Sequence, residues 1–159
     1  MLKRYRFAVA AALFAAGSAA AIAAPLTYTN ARFGTTVTFP DEVFTEQMPE
    51  PENGDGATWL AEDGGSVAVW GMNNALEQTP KGLIDEARAR SDVGYQVTYS
   101  TSGTNWAVLS GFEDGWIFYE RFEFGAEDVI HGLLIKYQPS TRAIYDPLVG
   151  PIAASLGGP

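Results

Sequence analysis

The sequence predicts an α+β domain built on an antiparallel sheet that is covered on both faces, and three observations carry this. Between Trp106 and Tyr137 the runs WAVLSG, WIFYERFEF and VIHGLLIKY are rich in β-branched and aromatic residues. Only the short acidic stretches FEDG and GAED separate them, as in a meander of hairpins. Large apolar side chains occupy both alternation classes within these runs, so neither sheet face can be left to water. Two stretches with helical spacing, one before the meander and one after it, can supply cover.

Within the meander, Asp114-Gly115 has positive-φ turn chemistry, and Gly125 ahead of Asp128 can act likewise. If Phe124 pairs with Val129 across GAED, one row carries Trp116, Phe118, Glu120, Phe122 and Phe124. The same row continues through Val129, His131, Leu133, Ile135 and Tyr137. The other holds Ile117, Tyr119, Arg121 and Glu123 with Ile130, Gly132, Leu134 and Lys136. A slip of one residue would exchange the faces, and the apolar row argues for this register. In it Phe122 opposes His131 and Glu120 opposes Leu133, making Glu120 and His131 diagonal neighbours.

The chain starts with Lys3, Arg4 and Arg6, then FAVAAALFAA and GSAAAIAA, the pattern of an export leader with cleavage expected after Ala23. An uncleaved anchor is the rival, but the run is mostly Ala and is interrupted by Gly17-Ser18. Residues 24–159 form one mature domain of ordinary size, retaining seven bases and all nineteen acids, a formal charge of −12. That surface repels phosphate backbones and anionic headgroups, arguing against nucleic acid and peripheral membranes. No stable membrane insertion is expected after cleavage. With no cysteine, the domain has no disulfides and must rely on its core.

In chain order, residues 26–39 read as a hairpin whose Phe33, Val37 and Phe39 share a face. Asp41 to Phe44 reads as a helical turn. Residues 46–56 (EQMPEPENGDG) read as an exposed acidic loop. A second hairpin joins residues 57–61 to 66–72 around EDGG, bringing in Trp59 and Trp70. Thr79 and Pro80 cap and open a helix that buries Leu83, Ile84 and Ala87. Tyr95 to Thr101 is a strand turning at Ser102-Gly103 into Trp106. A two-residue turn sets Tyr99 opposite Trp106 and Val97 opposite Val108. Tyr99, Trp106 and Arg121 then form a lateral row with Gly132 beyond, and Arg121 can lie over an aromatic ring. After Pro139, Asp146-Pro147 is expected to restart a helix carrying Leu148, Val149, Ile152, Ala153 and Leu156, with a kink or early stop at Gly150-Pro151.

The single histidine and absent cysteine exclude Cys-rich or multi-His zinc sites and a cysteine nucleophile. There is no phosphate-binding loop, dinucleotide fingerprint or G-x-S-x-G elbow. The acidic loop lacks the ligand spacing of an EF-hand, and no cofactor or metal is expected. Candidate binding residues are Tyr99, Trp106, Arg121, Glu120 and His131. The first three read as packing beneath a helix or as a partner-facing anchor. The last two read as a satisfied buried pair or as an acid–base pair.

Phe33-Gly34 followed by Thr38-Phe39-Pro40, the element order, and the closing IAASL together resemble the PsbP/Mog1-like group over most of residues 26–156. The chain is also similar to small exported proteins of proteobacteria. The resemblance implies an α/β/α sandwich, a central antiparallel sheet with helices on both faces. It also implies an accessory or binding role, since members serve in photosystem assembly or small-GTPase transport. No functional residue of the group is carried over. The leading expectation is a non-enzymatic periplasmic accessory domain acting through a protein partner. A glycan hydrolase using Glu120 and His131, and a small-molecule or cation binder using the acidic loop, are the alternatives.

Overall fold

Hairpin chemistry dominates the architecture of residues 24–90 and 92–159, which the computed structural model describes; the leader and its expected cleavage site lie outside these residues. A two-stranded unit, β1 (Leu26–Thr29) and β2 (Thr36–Phe39), stands apart from the main sheet. The main sheet contains β3 (Glu46–Gln47), β4 (Gly56–Leu60), β5 (Ser66–Asn73) and β6 (Tyr95–Ser102). It is completed by β7 (Trp106–Glu113), β8 (Trp116–Phe124) and β9 (Val129–Tyr137). The spatial order is β3-β4-β5-β9-β8-β7-β6, with every pairing antiparallel. Glu46 and Gln47, expected in the acidic loop, instead pair with Leu60 and Trp59 as a short edge strand.

Helix α1 (Pro80–Ala89) begins as its sequence dictates: Thr79 Oγ1 accepts from the Gly82 amide, and Pro80 stands in the first turn. It packs on β6 and β7, and Ile84, Leu83 and Ala87 meet Ala107, Leu109, Phe118, Phe122 and Ile130. Helix α2 (Arg142–Ala154) packs on β2 and β9. Its Tyr145, Ile152 and Ala153 join a second core with Val37, Phe39, Trp59, Val67, Leu133 and Ile135. Burying a side chain such as Phe39 or Leu133 contributes roughly 1.5–3 kcal/mol. Strand β9 feeds both cores by alternation: Ile130 and Leu134 belong with α1, and Leu133, Ile135 and Tyr137 with α2.

Helix α2 runs through Pro147 and Pro151 without the expected restart at Asp146 or stop at Gly150. Residues 143, 147 and 151 are four apart and all exposed. The carbonyls of Ala143 and Pro147, which lose their amide partners, therefore lie along the wet stripe, where water replaces the missing bond. The buried stripe is anchored instead. Tyr145 stacks on Tyr137 at 5.0 Å and donates to Asp63 Oδ1 at 2.6 Å. Ser155 Oγ accepts from the Thr38 amide at 2.8 Å.

The meander departs from the expected register at one hairpin. Asp114 (φ 51°) and Gly115 (φ 83°) make the anticipated tight turn between β7 and β8. Between β8 and β9 the turn residues are Glu127 and Asp128, at φ 57° and 56°. Val129 donates its amide to Ala126 O while its carbonyl accepts from Gly125 N, so two residues face one, a β-bulge. Phe124 consequently pairs with Ile130, not Val129. That single extra residue reverses the expected assignment of β9 relative to β8. Glu120 opposes Leu134, and His131 opposes Glu123. Glu120 and His131 are on opposite faces and form no pair.

Candidate functional site

Pairing places Trp106, Val108, Ser110 and Phe112 of β7 on the α2 side of the sheet, with Ile117, Tyr119, Arg121 and Glu123 of β8. Helix α2 packs over β9, and the β6–β7 end is left more open: Tyr99 is 55 % and Phe112 37 % exposed. Arg121 lies over Trp106, its guanidinium carbon 5.4 Å from the ring centroid, as the aromatic spacing predicts. Its other side is held by Glu123, which accepts from Nε at 3.0 Å. Burial pushes the Tyr119 hydroxyl's pKa up, and Arg121 opposes that shift. The expected three-residue row is only partly formed. The β6–β7 turn closes two residues later than expected, with Gly103 N donating to Trp106 O, and this sets Tyr99 opposite Ser110; a bulge between Val97 and Tyr99 then sets Val97 opposite Gly111. Gly132 projects to the α1 side, so Leu133 is the residue opposite Arg121. The packing-beneath-a-helix reading fails for Tyr99, which faces solvent.

His131 is 1 % exposed. Its Nδ1 bonds Thr35 Oγ1 at 2.8 Å, and Nε2 has no partner among the described residues. The segment Gly157–Pro159 closes over the ring: a Cβ at Gly158 would lie 2.1 Å from it. Pro159 O accepts from Ala126 N, tying this segment to the bulge. Burial lowers the imidazole's pKa, and Glu123 across the strand pair works against that. This arrangement holds a neutral ring as a packing piece.

Glu120 lies on the α1 side in a groove of about 310 Å³ shared with Trp70, Gln78, Leu83, Arg90, Tyr95 and Phe122. Burial, with Glu113 adding to it, pushes its carboxyl up to about 7; Arg90 and Lys136 pull the other way. The Trp70 indole covers Gly132, where a Cβ would come within 2.2 Å of the ring, and meets Phe122 edge-on at 6.0 Å. Glycine is required at that crossing. Arg90 stacks over Tyr95 at 3.8 Å and bonds Asp92 at 2.8 Å. No cluster of three metal-ligating side chains occurs among the described residues. In the acidic loop, Asp55 is engaged by the Asn53 side chain at 2.7 Å. No described helix is long and apolar enough to cross a membrane.

No protein-family model and no curated protein matches the sequence. Among solved structures, the chain is similar to cyanobacterial PsbP (CyanoP) from Synechocystis sp. PCC 6803, determined in solution. The TM-score is 0.61 at 11 % identity, over 92 % of this chain and 99 % of that one. The fold is PsbP-like. At this identity the likeness establishes the mostly antiparallel sheet with its two helices and transfers no residue role. The features that distinguish this chain within the PsbP-like fold are therefore its own side chains. Sequence reading singled out Trp106 and Arg121 and placed Tyr119 in the row of Arg121 without giving it a role; it overlooked Phe112, which alternation places on the face of Trp106. It also overlooked Gln78 and Arg90, which reach the Glu120 groove from beyond the sheet and leave no periodic signal.

Proposed function

We propose that this chain is a non-enzymatic accessory domain that acts outside the cytoplasm by binding a protein partner. The binding face is formed by Tyr99, Trp106, Phe112, Tyr119 and Arg121. The observation that carries the reading is the exposure of Tyr99 and Phe112 on the same sheet face as the ordered Trp106–Arg121–Glu123 stack. Trp, Tyr and Arg dominate protein-binding hot spots, and a side chain already fixed by its neighbours loses less entropy on binding. The alternation of β9 between two cores supports helices on opposite faces, and α2 then leaves the β6–β8 end of its face for a partner. The PsbP-like fold is compatible with such a role, and the basic–apolar leader supports export.

The test is a photo-crosslinking residue at Tyr99 or Phe112 in the exporting bacterium, with Val93, 99 % exposed, as the control position. A discrete adduct from the first two positions and none from Val93 is the expected result. Arg121→Ala is expected to abolish the adduct at unchanged Tm. Lost stability with a retained adduct would make the row packing only. Intact-mass analysis of the periplasmic fraction is expected to show a chain starting at Ala24.

A further inference from the structure

On the side of the sheet away from that face, the Glu120 groove holds two acceptors that no described residue satisfies. Gln78 donates its Nε2 to Glu86 Oε2 at 2.8 Å, which fixes the amide and leaves Oε1 as the free end. That Oε1 is buried and has no partner among the described residues. The Glu120 carboxylate is the second: the residue is half-buried, no described group donates to it, and burial with the surrounding charges acts on it. A buried acceptor such as Gln78 Oε1 without a donor costs about 1–3 kcal/mol, which a ligand bringing a donor recovers. Apart from Glu86 and Arg90, the remaining lining is apolar or aromatic, with Trp70, Leu83, Tyr95, Leu109 and Phe122.

We propose that this groove binds a small organic ammonium with an apolar or aromatic body, its N–H groups donating to Gln78 Oε1 and to the Glu120 carboxylate. The volume is at the lower end for ligand sites, which limits the occupant to a small molecule. A cation is favoured over an anion by the charges around the carboxylate. Glu86 from α1 and Glu113 from β7 are acidic; Arg90 after α1 is taken up by Asp92 and the Tyr95 ring from β6. Lys136 from β9 is bonded to Glu113 at 2.7 Å. An ammonium stabilises the ionised form of Glu120. Where that carboxyl is protonated, binding releases its proton to solvent while the ammonium keeps its own. Apparent affinity therefore rises with pH.

Isothermal titration of the mature chain with tryptamine, and with its alcohol analogue tryptophol, tests the site. Tryptamine is expected to bind at least tenfold more tightly than tryptophol. For a carboxyl titrating near neutrality, its affinity is expected to rise about tenfold between pH 6 and pH 8. Glu120→Gln keeps the shape, removes the charge, and is expected to weaken tryptamine at least tenfold and flatten the pH dependence. Gln78→Met removes the second acceptor and is expected to weaken it several-fold at constant pH slope. Equal binding of amine and alcohol, pH-independent binding, or an undiminished Glu120→Gln variant would overturn the proposal, as would no saturable heat at millimolar tryptamine. None of these outcomes touches the Tyr99–Trp106 face, whose crosslinks are read separately.

Discussion

Glu120 and His131 lie on adjacent strands, β8 and β9, yet their two environments treat an ionisable group in opposite ways. On the α2 side, His131 is enclosed by Thr35, Gly125, Gly158 and Pro159, and burial holds its pKa below the ordinary value. On the α1 side, Glu120 borders a groove, and burial together with Glu113 holds its carboxyl near 7. In each case low polarity disfavours the charged form. The difference is in what holds the side chain: the His131 ring borders grooves of about 440 and 480 Å³ but is bonded to Thr35 and shielded by Gly158, whereas no described group donates to the Glu120 carboxylate. A bonded ring with 1 % exposure contributes to stability through its contacts. A groove beside an unmatched carboxylate costs stability in the free protein, a cost that a complementary ligand can recover.

The largest effect expected from this contrast is at His131. His131→Ala removes a buried side chain bonded to Thr35 and packed against Gly158, and a loss of about 3 kcal/mol in urea unfolding at pH 7.5 is expected. Because its folded pKa is depressed, His131 contributes fully above about 6.5 and loses its contribution as pH falls below that value. The gap between wild type and His131→Asn is therefore expected to narrow from pH 7.5 to pH 5. A gap independent of pH would show that the ring is not held neutral.

Glu120 has the opposite sign. Its folded pKa is raised from 4.5, so its contribution is complete below that value and is lost as pH rises through about 7. Glu120→Gln is thus expected to stabilise the chain by about 2 kcal/mol at pH 8 and to be nearly neutral at pH 4, read from paired denaturation curves. A destabilised variant at pH 8 would mean that the carboxylate is matched after all, and the contrast between the two faces would collapse.

How far the sequence foretells this arrangement depends on the kind of signal. Alternation and turn chemistry place the hairpins, and the Thr79-Pro80 start places α1, because each depends on neighbours in the chain. Trp106 and Arg121 come together because an even-numbered turn at Asp114-Gly115 preserves the face. The Glu120–His131 pairing fails because Gly125 is a bulge residue, stabilised partly by Pro159 O bonding the neighbouring Ala126 amide. That carbonyl comes from the far end of the chain, so no local pattern reports it. The Tyr99 register fails because the turn closes after Gly103 and not at Ser102-Gly103, in a stretch where Ser, Gly, Thr and Asn all suit a turn. Both apolar faces were legible; which ionisable group belonged to which face was not, because one extra residue decides it.

The smallest expected effect concerns that residue's turn. Glu127 and Asp128 both hold left-handed backbone, which for a residue with a Cβ costs roughly 1–2 kcal/mol less whatever a short polar side chain returns. Asn-Gly is the pair that such a turn favours. Replacing Glu127 and Asp128 by Asn and Gly relieves this strain, while the added glycine costs up to about 1 kcal/mol in unfolded-state entropy. The net gain expected is about 0.5–1 kcal/mol in chemical denaturation, with the Phe124–Ile130 pairing intact. Cross-strand contacts between Phe124 and Ile130 amide neighbours in a nuclear Overhauser spectrum check the register directly. If the variant gained stability but paired Phe124 with Val129, the turn and not the tail contact at Ala126 would be choosing the register. Glu120 and His131 would then share a face, and the contrast between the two sides would be a property of two turn residues.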